Sequence, residues 1–308
     1  MNRRFSDLLV IAGVILLLTA YGAAGWLALP VAERAFLPTF SAVGVILVNC
    51  VLLYMLNERL LSGTSLLVAV LYAVLATARP VSLVYTPYHT ASLLLAVSIC
   101  AYLHYNAGRP SLKYLVGAWA ALGAAVLVAP QLAWLIPIYA LSSVGKAEDK
   151  VKFWVAAPLA LILPVAAWAG ICYIRNGEAP GALLSQLWSG MCAVERPSFP
   201  YSAATMCRLL LTVIAALLAI VHVARRLDSY KTAQARACMR LMILTLSLSV
   251  LTLLFYSHPA IPSGLLTILP VAPLLGEYFS HAVRGKGVGT LAIVLILLLI
   301  AERVSYFV

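Results

Sequence analysis

Apolar segments of membrane-spanning length follow one another along almost the whole chain, and the charge of the short gaps between them alternates. The 308 residues are 64% apolar and only 10% charged, whereas about a quarter of a soluble domain is charged. A soluble fold has too little interior to bury so large an apolar fraction. The sequence therefore predicts an all-α, polytopic integral membrane helix bundle.

The chain holds enough apolar stretches for about eleven transmembrane helices, since a span needs roughly twenty apolar residues and fewer where protein surrounds it. We predict spans at 8–29, 38–56, 64–78, 88–105, 113–129, 131–144, 153–174, 209–224, 241–256, 262–281 and 289–307. Together they form a single transmembrane domain over 1–308. The first is interpreted as an uncleaved helix, because its apolar region is too long for a signal peptide and more spans follow.

The basic residues set the expected orientation of the bundle. Only six of the 21 Lys and Arg residues fall on one side of it, and basic loops face the cytoplasm. This distribution requires the chain to turn back near Pro130, which lacks a backbone donor and favours a helix break. The N-terminus is then cytoplasmic and the C-terminus outside. We attribute the net charge of +11 to contact with anionic lipid headgroups, not to nucleic acid.

Three connections between spans stand out. The segment 225–240 is expected to be a basic inner loop, either an anchor against anionic lipid or a helix that docks a partner. The segment 79–89 is expected to be non-helical. The long outer loop 175–208 contains ALLSQLWSGM, whose apolar residues share one helical face and predict a helix lying in the membrane interface; they are Leu183, Leu184, Leu187, Trp188 and Met191.

Several ionisable residues are expected to meet at the outer rim. Arg79 and Arg175 each abut the end of a span, where a guanidinium can hold a phosphate through two parallel hydrogen bonds. Arg196 lies in the long outer loop, and His89 and His258 could donate or accept a proton near neutral pH. These five residues are the predicted substrate-binding set. The alternative for each charge is that it only anchors the end of a span in the headgroup region.

Two cysteines and one carboxylate complete the candidate residues. Cys192 and Cys207 share the outer loop, which would face an oxidising compartment, so a disulfide between them is predicted. Glu277 is the most membrane-embedded carboxylate and is interpreted either as a proton-coupling group or as a structural partner of His281 and Arg284. The sequence has no phosphate loop, HExxH or CxxC motif. We therefore predict no metal and no cofactor.

The order of features from about 64 to 144 carries a family resemblance. It includes YLHYNAGRPSLKYL, then the small-residue helix GAWAALGAAVLVAP, then QLAWLIPIYAL, and it resembles the middle of the membrane module of GT-C glycosyltransferases. With the loop and span after Gly145, the chain is also similar to an uncharacterised family of bacterial polytopic membrane proteins of about 300 residues. The resemblance implies a GT-C-like part at about 8–174, with additional spans over 209–308, in the bacterial inner membrane.

The GT-C resemblance also implies a chemistry. Such enzymes use polyprenyl-phosphate-linked sugars at the outer face, with an acidic residue in the first outer loop. Glu33 occupies that loop here and is the implied catalytic residue, while loop 175–208 would help to bind the substrate.

Three functions stay open at this point. The first is binding or modifying a lipid-linked glycan at the outer leaflet, with or without enzymatic activity. The second is a non-catalytic partner or scaffold in envelope biogenesis, and the third is a transporter or flippase for an amphipathic or anionic substrate. The expected partners are membrane lipids, with a polyprenyl-phosphate-linked substrate and other membrane proteins as candidates.

Overall fold

The computed structural model describes residues 36–61, 66–78, 80–107, 111–144, 150–177, 179–193, 203–255 and 264–282. All the regular elements in these ranges are helices, as predicted. The α-helices are α1 (Phe36–Leu60), α2 (Leu66–Ala76), α3 (Pro87–Ala107), α4 (Leu112–Val128), α5 (Ile136–Val144), α6 (Lys150–Asn176), α7 (Pro180–Cys192), α8 (Ala203–Arg226), α9 (Thr232–Phe255) and α10 (Gly264–Ala282). Short 3₁₀ helices cover Pro80–Leu83, Pro130–Leu135 and Leu227–Ser229.

Five of the described helices are long and apolar enough to cross a membrane. They cover Pro38–Leu60, Pro87–Ala107, Lys150–Arg175, Leu209–Ser229 and Thr232–Phe255, and shorter apolar helices cover Leu67–Ala76, Leu112–Val128 and Gly264–Ser280. Every span predicted between 38 and 281 coincides with helical structure. The predicted spans 8–29 and 289–307, and with them both termini, lie outside the described residues.

The structure corrects the predicted loop 225–240. α8 continues to Arg226, and α9 begins at Thr232, so only a short turn separates the two helices. Alanines at 233, 235 and 237 favour helix, and Ala237 and Cys238 are fully buried. Hydropathy alone placed the start of this helix too late, because Arg236 and Arg240 lower the apolar signal of a helical turn that nevertheless packs in the bundle.

The chain reverses direction at Pro130, as the charge pattern requires. α4 ends at Val128, and the 3₁₀ turn at Pro130–Leu135 leads into α5. Ser98 of α3 donates a hydrogen bond to the Ala118 carbonyl of α4 (2.7 Å) and another to the Tyr139 hydroxyl of α5 (3.2 Å). Further along α3, Asn106 donates to Ser143 of α5 (3.4 Å). α5 therefore runs parallel to α3 and antiparallel to α4.

Contacts between the other helices define two ends of the bundle. The amide of Gln234 in α9 bonds Glu277 in α10, and Thr252 bonds Thr267, so these two helices are antiparallel. α4 and α6 pack parallel to each other, and this packing begins where the Trp119 ring contacts the Phe153 ring. One end of the bundle holds the connections after α1, α3, α5 and α8, and we call it the basic end. Its described basic residues include Arg59, Lys113, Lys150, Lys152, Arg225, Arg226, Lys231 and Arg236. The other end carries α7 and is called the α7 end.

Candidate functional site

At the α7 end, the short helix α7 is attached to the bundle along one side. Gly177 adopts a positive φ of 68° after α6, a conformation that ends helices and that glycine adopts without strain. Pro180 then begins α7 at a position where its missing donor is not needed. Near the other end of α7, Gly190 packs against the Pro130 ring, and the Trp134 indole donates to the Met191 carbonyl at 3.3 Å.

Two large apolar side chains of α7 are exposed beside the side that is attached to the bundle. Leu184 is 60% exposed and Trp188 is 67% exposed, and none of the residues of α7 is buried. The hydroxyls of Ser185 and Ser189 bond carbonyls of their own helix. A short attached helix with exposed apolar side chains is typical of a helix lying in the membrane interface. The predicted helix is present, and its contact with the interface remains a prediction.

Arg175 lies at the junction between α6 and α7. It is exposed in the last turn of α6, where a cation also interacts favourably with the negative end of the helix dipole. Its side chain is thus exposed at the same end of the bundle as Leu184 and Trp188 of α7. This is the geometry expected of a residue that meets a headgroup.

His89 lies at the α7 end of α3, and its side chain is buried in the fold rather than exposed at the rim. Its side chain is fully buried in the first turn of α3. The Nδ1 atom accepts from the Thr86 backbone N–H at 3.1 Å, so the neutral ring carries its proton on Nε2 and donates to the Ser82 carbonyl at 2.7 Å. Both nitrogens therefore hold the turn between Pro80–Leu83 and α3. The local bonds account for this histidine without a ligand.

The remaining predicted site residues fall partly outside the described ranges. Glu33, Arg79, Arg196 and His258 all lie outside them. Cys192 and Cys207 are both described, and both are free, exposed thiols. Residues 194–202, which would close the ring of a disulfide between them, are not among the described residues, and the disulfide stays a prediction.

A row of buried polar side chains runs along α3 from one end of the bundle to the other. The next residue in the row after His89 is Ser92. The Asn49 amide of α1 donates to the Ser92 hydroxyl at 3.2 Å and to the Tyr72 hydroxyl of α2 at 2.9 Å. Ser98 and Tyr102 follow, and Asn106 ends the row. These side chains bond neighbouring helices, which is one way that membrane helices associate.

At the basic end, this row meets Arg240 of α9. The Arg240 Nη2 atom donates to the Ser142 carbonyl at 3.0 Å, and Tyr102 and Ser142 share a hydrogen bond. The Arg240 Nε atom is buried without a hydrogen-bond partner, as is the Asn106 Oδ1 atom. Among the described residues, no carboxylate pairs with Arg240. The described residues thus leave a half-buried cation with one unbonded donor, the Nε atom.

Glu277 lies in a second cluster at the basic end. Its side chain is 1% exposed, and its Oε1 atom accepts a hydrogen bond from Gln234 at 3.1 Å. Tyr230 also interacts with Glu277. Burial raises the pKa of the Tyr230 hydroxyl, and the charge of Glu277 raises it further. Sequence reasoning looked for partners on the helix of Glu277 itself and missed Gln234 and Tyr230. Only the packing of α9 against α10 could reveal them.

The described residues contain no group of three or more His, Cys, Asp or Glu side chains placed to hold a metal ion. Comparison of the chain with protein-family models, with curated proteins and with solved structures finds no match in any of the three. The geometry at the two ends of the bundle is therefore the basis for inferring a function.

Proposed function

We propose that this protein binds an amphipathic, phosphate-bearing lipid at the leaflet facing α7, and that the lipid is of the polyprenyl-phosphate type. The observation that carries the proposal is the placement of an exposed arginine, Arg175, shortly before an attached helix that exposes the apolar side chains of Leu184 and Trp188. Apolar side chains at this depth would contact acyl or prenyl chains, and a guanidinium can hold a phosphate.

The expected orientation makes this leaflet the outer one. The basic end then faces the cytoplasm of a bacterial inner membrane, as positive residues do in polytopic proteins. In the GT-C-like form of the proposal, the bound lipid carries a glycan and Glu33 acts on it as the catalytic residue. In the simpler form, the protein binds or presents the lipid without changing it.

Native mass spectrometry of the purified protein in micelles tests the proposal. One set of micelles contains a polyprenyl phosphate and the other contains the corresponding polyprenol, which lacks only the phosphate. We expect a selective adduct with the phosphate lipid. Replacement of Arg175 by Gln should weaken that adduct about fivefold, since an exposed charge pair contributes up to ~1 kcal/mol, and should leave polyprenol binding unchanged.

The matched control is Arg225→Gln, which removes an exposed arginine from the last turn of α8 at the basic end. It should leave the adduct intact. Equal binding of polyprenol and polyprenyl phosphate would contradict the proposal, as would equal losses in the two variants. A stoichiometric protein partner with no lipid adduct would instead favour the scaffold.

A second function, a transporter or flippase, is favoured by the row of polar side chains along α3. Transport of a polar or anionic group requires polar contacts through the bundle, and this row supplies them between His89 and Asn106. If the row is hydrated, Ser92→Cys and Ser98→Cys should react with a small thiol reagent in a background where Cys192 and Cys207 are serine. If the row only joins helices, both positions should stay unreactive while the protein is folded.

A further inference from the structure

α3 exposes a strip of side chains that leads to the basic end. The strip consists of Leu93, Val97, Ala101 and His104, none of which is buried. Because successive members are three or four residues apart, they lie on one face of the helix. Val97 is 40% exposed, and His104 lies in the last turn of α3. This helix, largely buried elsewhere, therefore presents an apolar strip that ends in an imidazole.

The helices α1 and α4 lie on either side of this strip. Cys100 of α3 donates to the Leu52 carbonyl of α1 at 3.8 Å. Ala101, the next residue, faces α4, because a Cβ atom added to Gly117 would lie 3.8 Å from the Ala101 Cβ atom. With about 3.6 residues per turn, the rest of the strip projects between these two directions. The three helices therefore form a groove with the strip as its floor, which we call the α3 groove.

A cationic side chain borders the α3 groove on each of its walls. Arg59 follows Leu52 by seven residues on α1, so it lies on the same helix face two turns closer to the basic end. Lys113 precedes Gly117 by four residues on α4, which places it on the face towards α3, one turn closer to the same end. The two cations therefore flank the end of the groove at which His104 lies.

Contacts of the His104 ring connect both walls. The charge of Arg59 acts on this ring from the α1 side. On the α4 side, the Tyr114 ring stacks on it with 5.2 Å between the ring centroids. The Lys113 Nζ atom in turn lies 4.9 Å from the centroid of the Tyr114 ring. Side chains from three helices thus converge around one imidazole, with a cation on either side of it.

These donor groups are accessible and unused within the described part of the chain. Arg59 and Lys113 are both exposed, and no hydrogen bond or ion pair joins either to another described residue. The His104 ring nitrogens also lack such bonds, and neither is fully buried. Glu58 is next to Arg59 in the sequence but projects about 100° away from it around α1. The end of the groove therefore offers three donor side chains at the protein surface, where a ligand has room to bind.

We propose that the α3 groove binds a phospholipid with an anionic headgroup in the leaflet at the basic end. Arg59 and Lys113 contact the phosphate from either side, the His104 ring donates a hydrogen bond to it, and an acyl chain lies along the apolar floor. Cations at headgroup level attract anionic lipids, and charged hydrogen bonds to phosphate are strong. A free anion would leave the floor uncovered, so the lipid is the occupant. The groove is independent of the lipid site proposed around Arg175, which lies at the α7 end.

Native mass spectrometry of the purified full-length protein measures this binding. Micelles contain either phosphatidylglycerol or phosphatidylcholine with the same acyl chains, so the two samples differ only in the lipid headgroup. We expect phosphatidylglycerol to bind about tenfold more tightly, because each exposed charge pair contributes modestly to affinity. Equal affinities for the two lipids would overturn the proposal.

Matched variants show whether the preference belongs to the groove or to the basic end as a whole. The double variant Arg59→Gln/Lys113→Gln should lose the preference, with phosphatidylglycerol affinity about tenfold lower and phosphatidylcholine affinity unchanged. The control Arg225→Gln/Lys231→Gln removes the same charge from two exposed residues at the junction of α8 and α9 and should keep the preference. Equal losses in the two double variants would show general attraction to anionic lipid and overturn the site.

A third pair of variants tests the apolar floor while every cation stays in place. Val97→Trp fills the groove with an indole and should weaken phosphatidylglycerol binding severalfold. Val213→Trp is the control, since it adds the same ring at a position of α8 that is 55% exposed, and it should bind as wild type does. Unchanged binding by Val97→Trp would overturn the groove as the site. Arg175→Gln should not alter this binding, so the two lipid sites succeed or fail separately.

Discussion

The helices α3 and α6 are both long enough to cross a membrane, yet they occupy opposite environments. In the span of α3, 61% of residues are buried inside the protein, compared with 11% in the span of α6. α3 carries the row of polar side chains. α6 exposes large apolar ones, among them Leu159, Leu163, Trp168 and Ile174. The more polar helix is thus the central one, the reverse of the arrangement in a soluble protein.

The bilayer explains this reversal. Lipid chains are as apolar as leucine, so burial of apolar surface against another helix gains little, and packing and interhelical hydrogen bonds hold the bundle together. α3 is held by hydrogen bonds to α1, α4 and α5. α6 is held in part by a close approach at Gly123, where a Cβ atom would collide with the Leu161 carbonyl. The two helices should therefore respond to different substitutions.

Gly123→Ala should have the largest effect, because the added methyl meets rigid backbone of α6. We expect the free energy of unfolding to fall by about 1–3 kcal/mol, the usual range for overpacking. Gly170→Ala is the control on α6, since no atom lies within 4 Å of its added Cβ. Because alanine favours helix by up to ~1 kcal/mol, that variant should be neutral or slightly stabilised. Thermal unfolding in detergent measures both, and equal melting temperatures would refute close packing of α4 on α6.

Asn49→Leu should have the next largest effect, although it makes the chain more apolar. It removes the hydrogen bonds to Tyr72 and Ser92 and leaves buried hydroxyls with fewer partners, so we expect a loss of about 1 kcal/mol. Leu163→Ala on α6, at a position 67% exposed, should change stability less. If the lipid-facing substitution proved the more harmful of the two, the comparison of α3 with α6 would be wrong.

Thiol reactivity should show the smallest but most local difference. Cys50 and Cys238 are buried, whereas Cys192 and Cys207 are exposed. Under reducing conditions, we expect a maleimide to label the exposed pair quickly and the buried pair only after unfolding. Mass spectrometry of the labelled peptides resolves the four sites. Non-reducing peptide mapping of a separate sample, prepared without reductant, tests the predicted disulfide.

The sequence predicted helices more reliably than it predicted their contacts. Apolar runs and Pro130 located the helices between 38 and 281, of which five are long and apolar enough to cross a bilayer. The start of α9 was placed late, because arginines at its first turns can extend to the interface while alanines pack. Hydropathy averages over these two faces.

The candidate sites show the same difference between local patterns, which were predictable, and contacts between distant residues, which were not. Spacing within ALLSQLWSGM was enough to predict α7, because an amphipathic helix is a local property. The role of His89 was not predictable, since it depends on a turn that brings the Ser82 carbonyl to its ring. Arg240 was interpreted as part of a basic loop, and its hydrogen bond to the Ser142 carbonyl joins helices far apart in the sequence. Local patterns do not encode such contacts.

The central claim is that α7 lies at the outer face of the membrane and the basic end at the inner face. Labelling with a membrane-impermeant maleimide tests it directly, using native Cys192 at the end of α7 and, in a background lacking Cys192 and Cys207, Ser229→Cys in the turn between α8 and α9. After mild reduction, which opens the predicted disulfide, we predict that Cys192 is labelled in intact spheroplasts and that Ser229→Cys is labelled only in inverted membrane vesicles. Labelling of both positions from the same side would contradict the account.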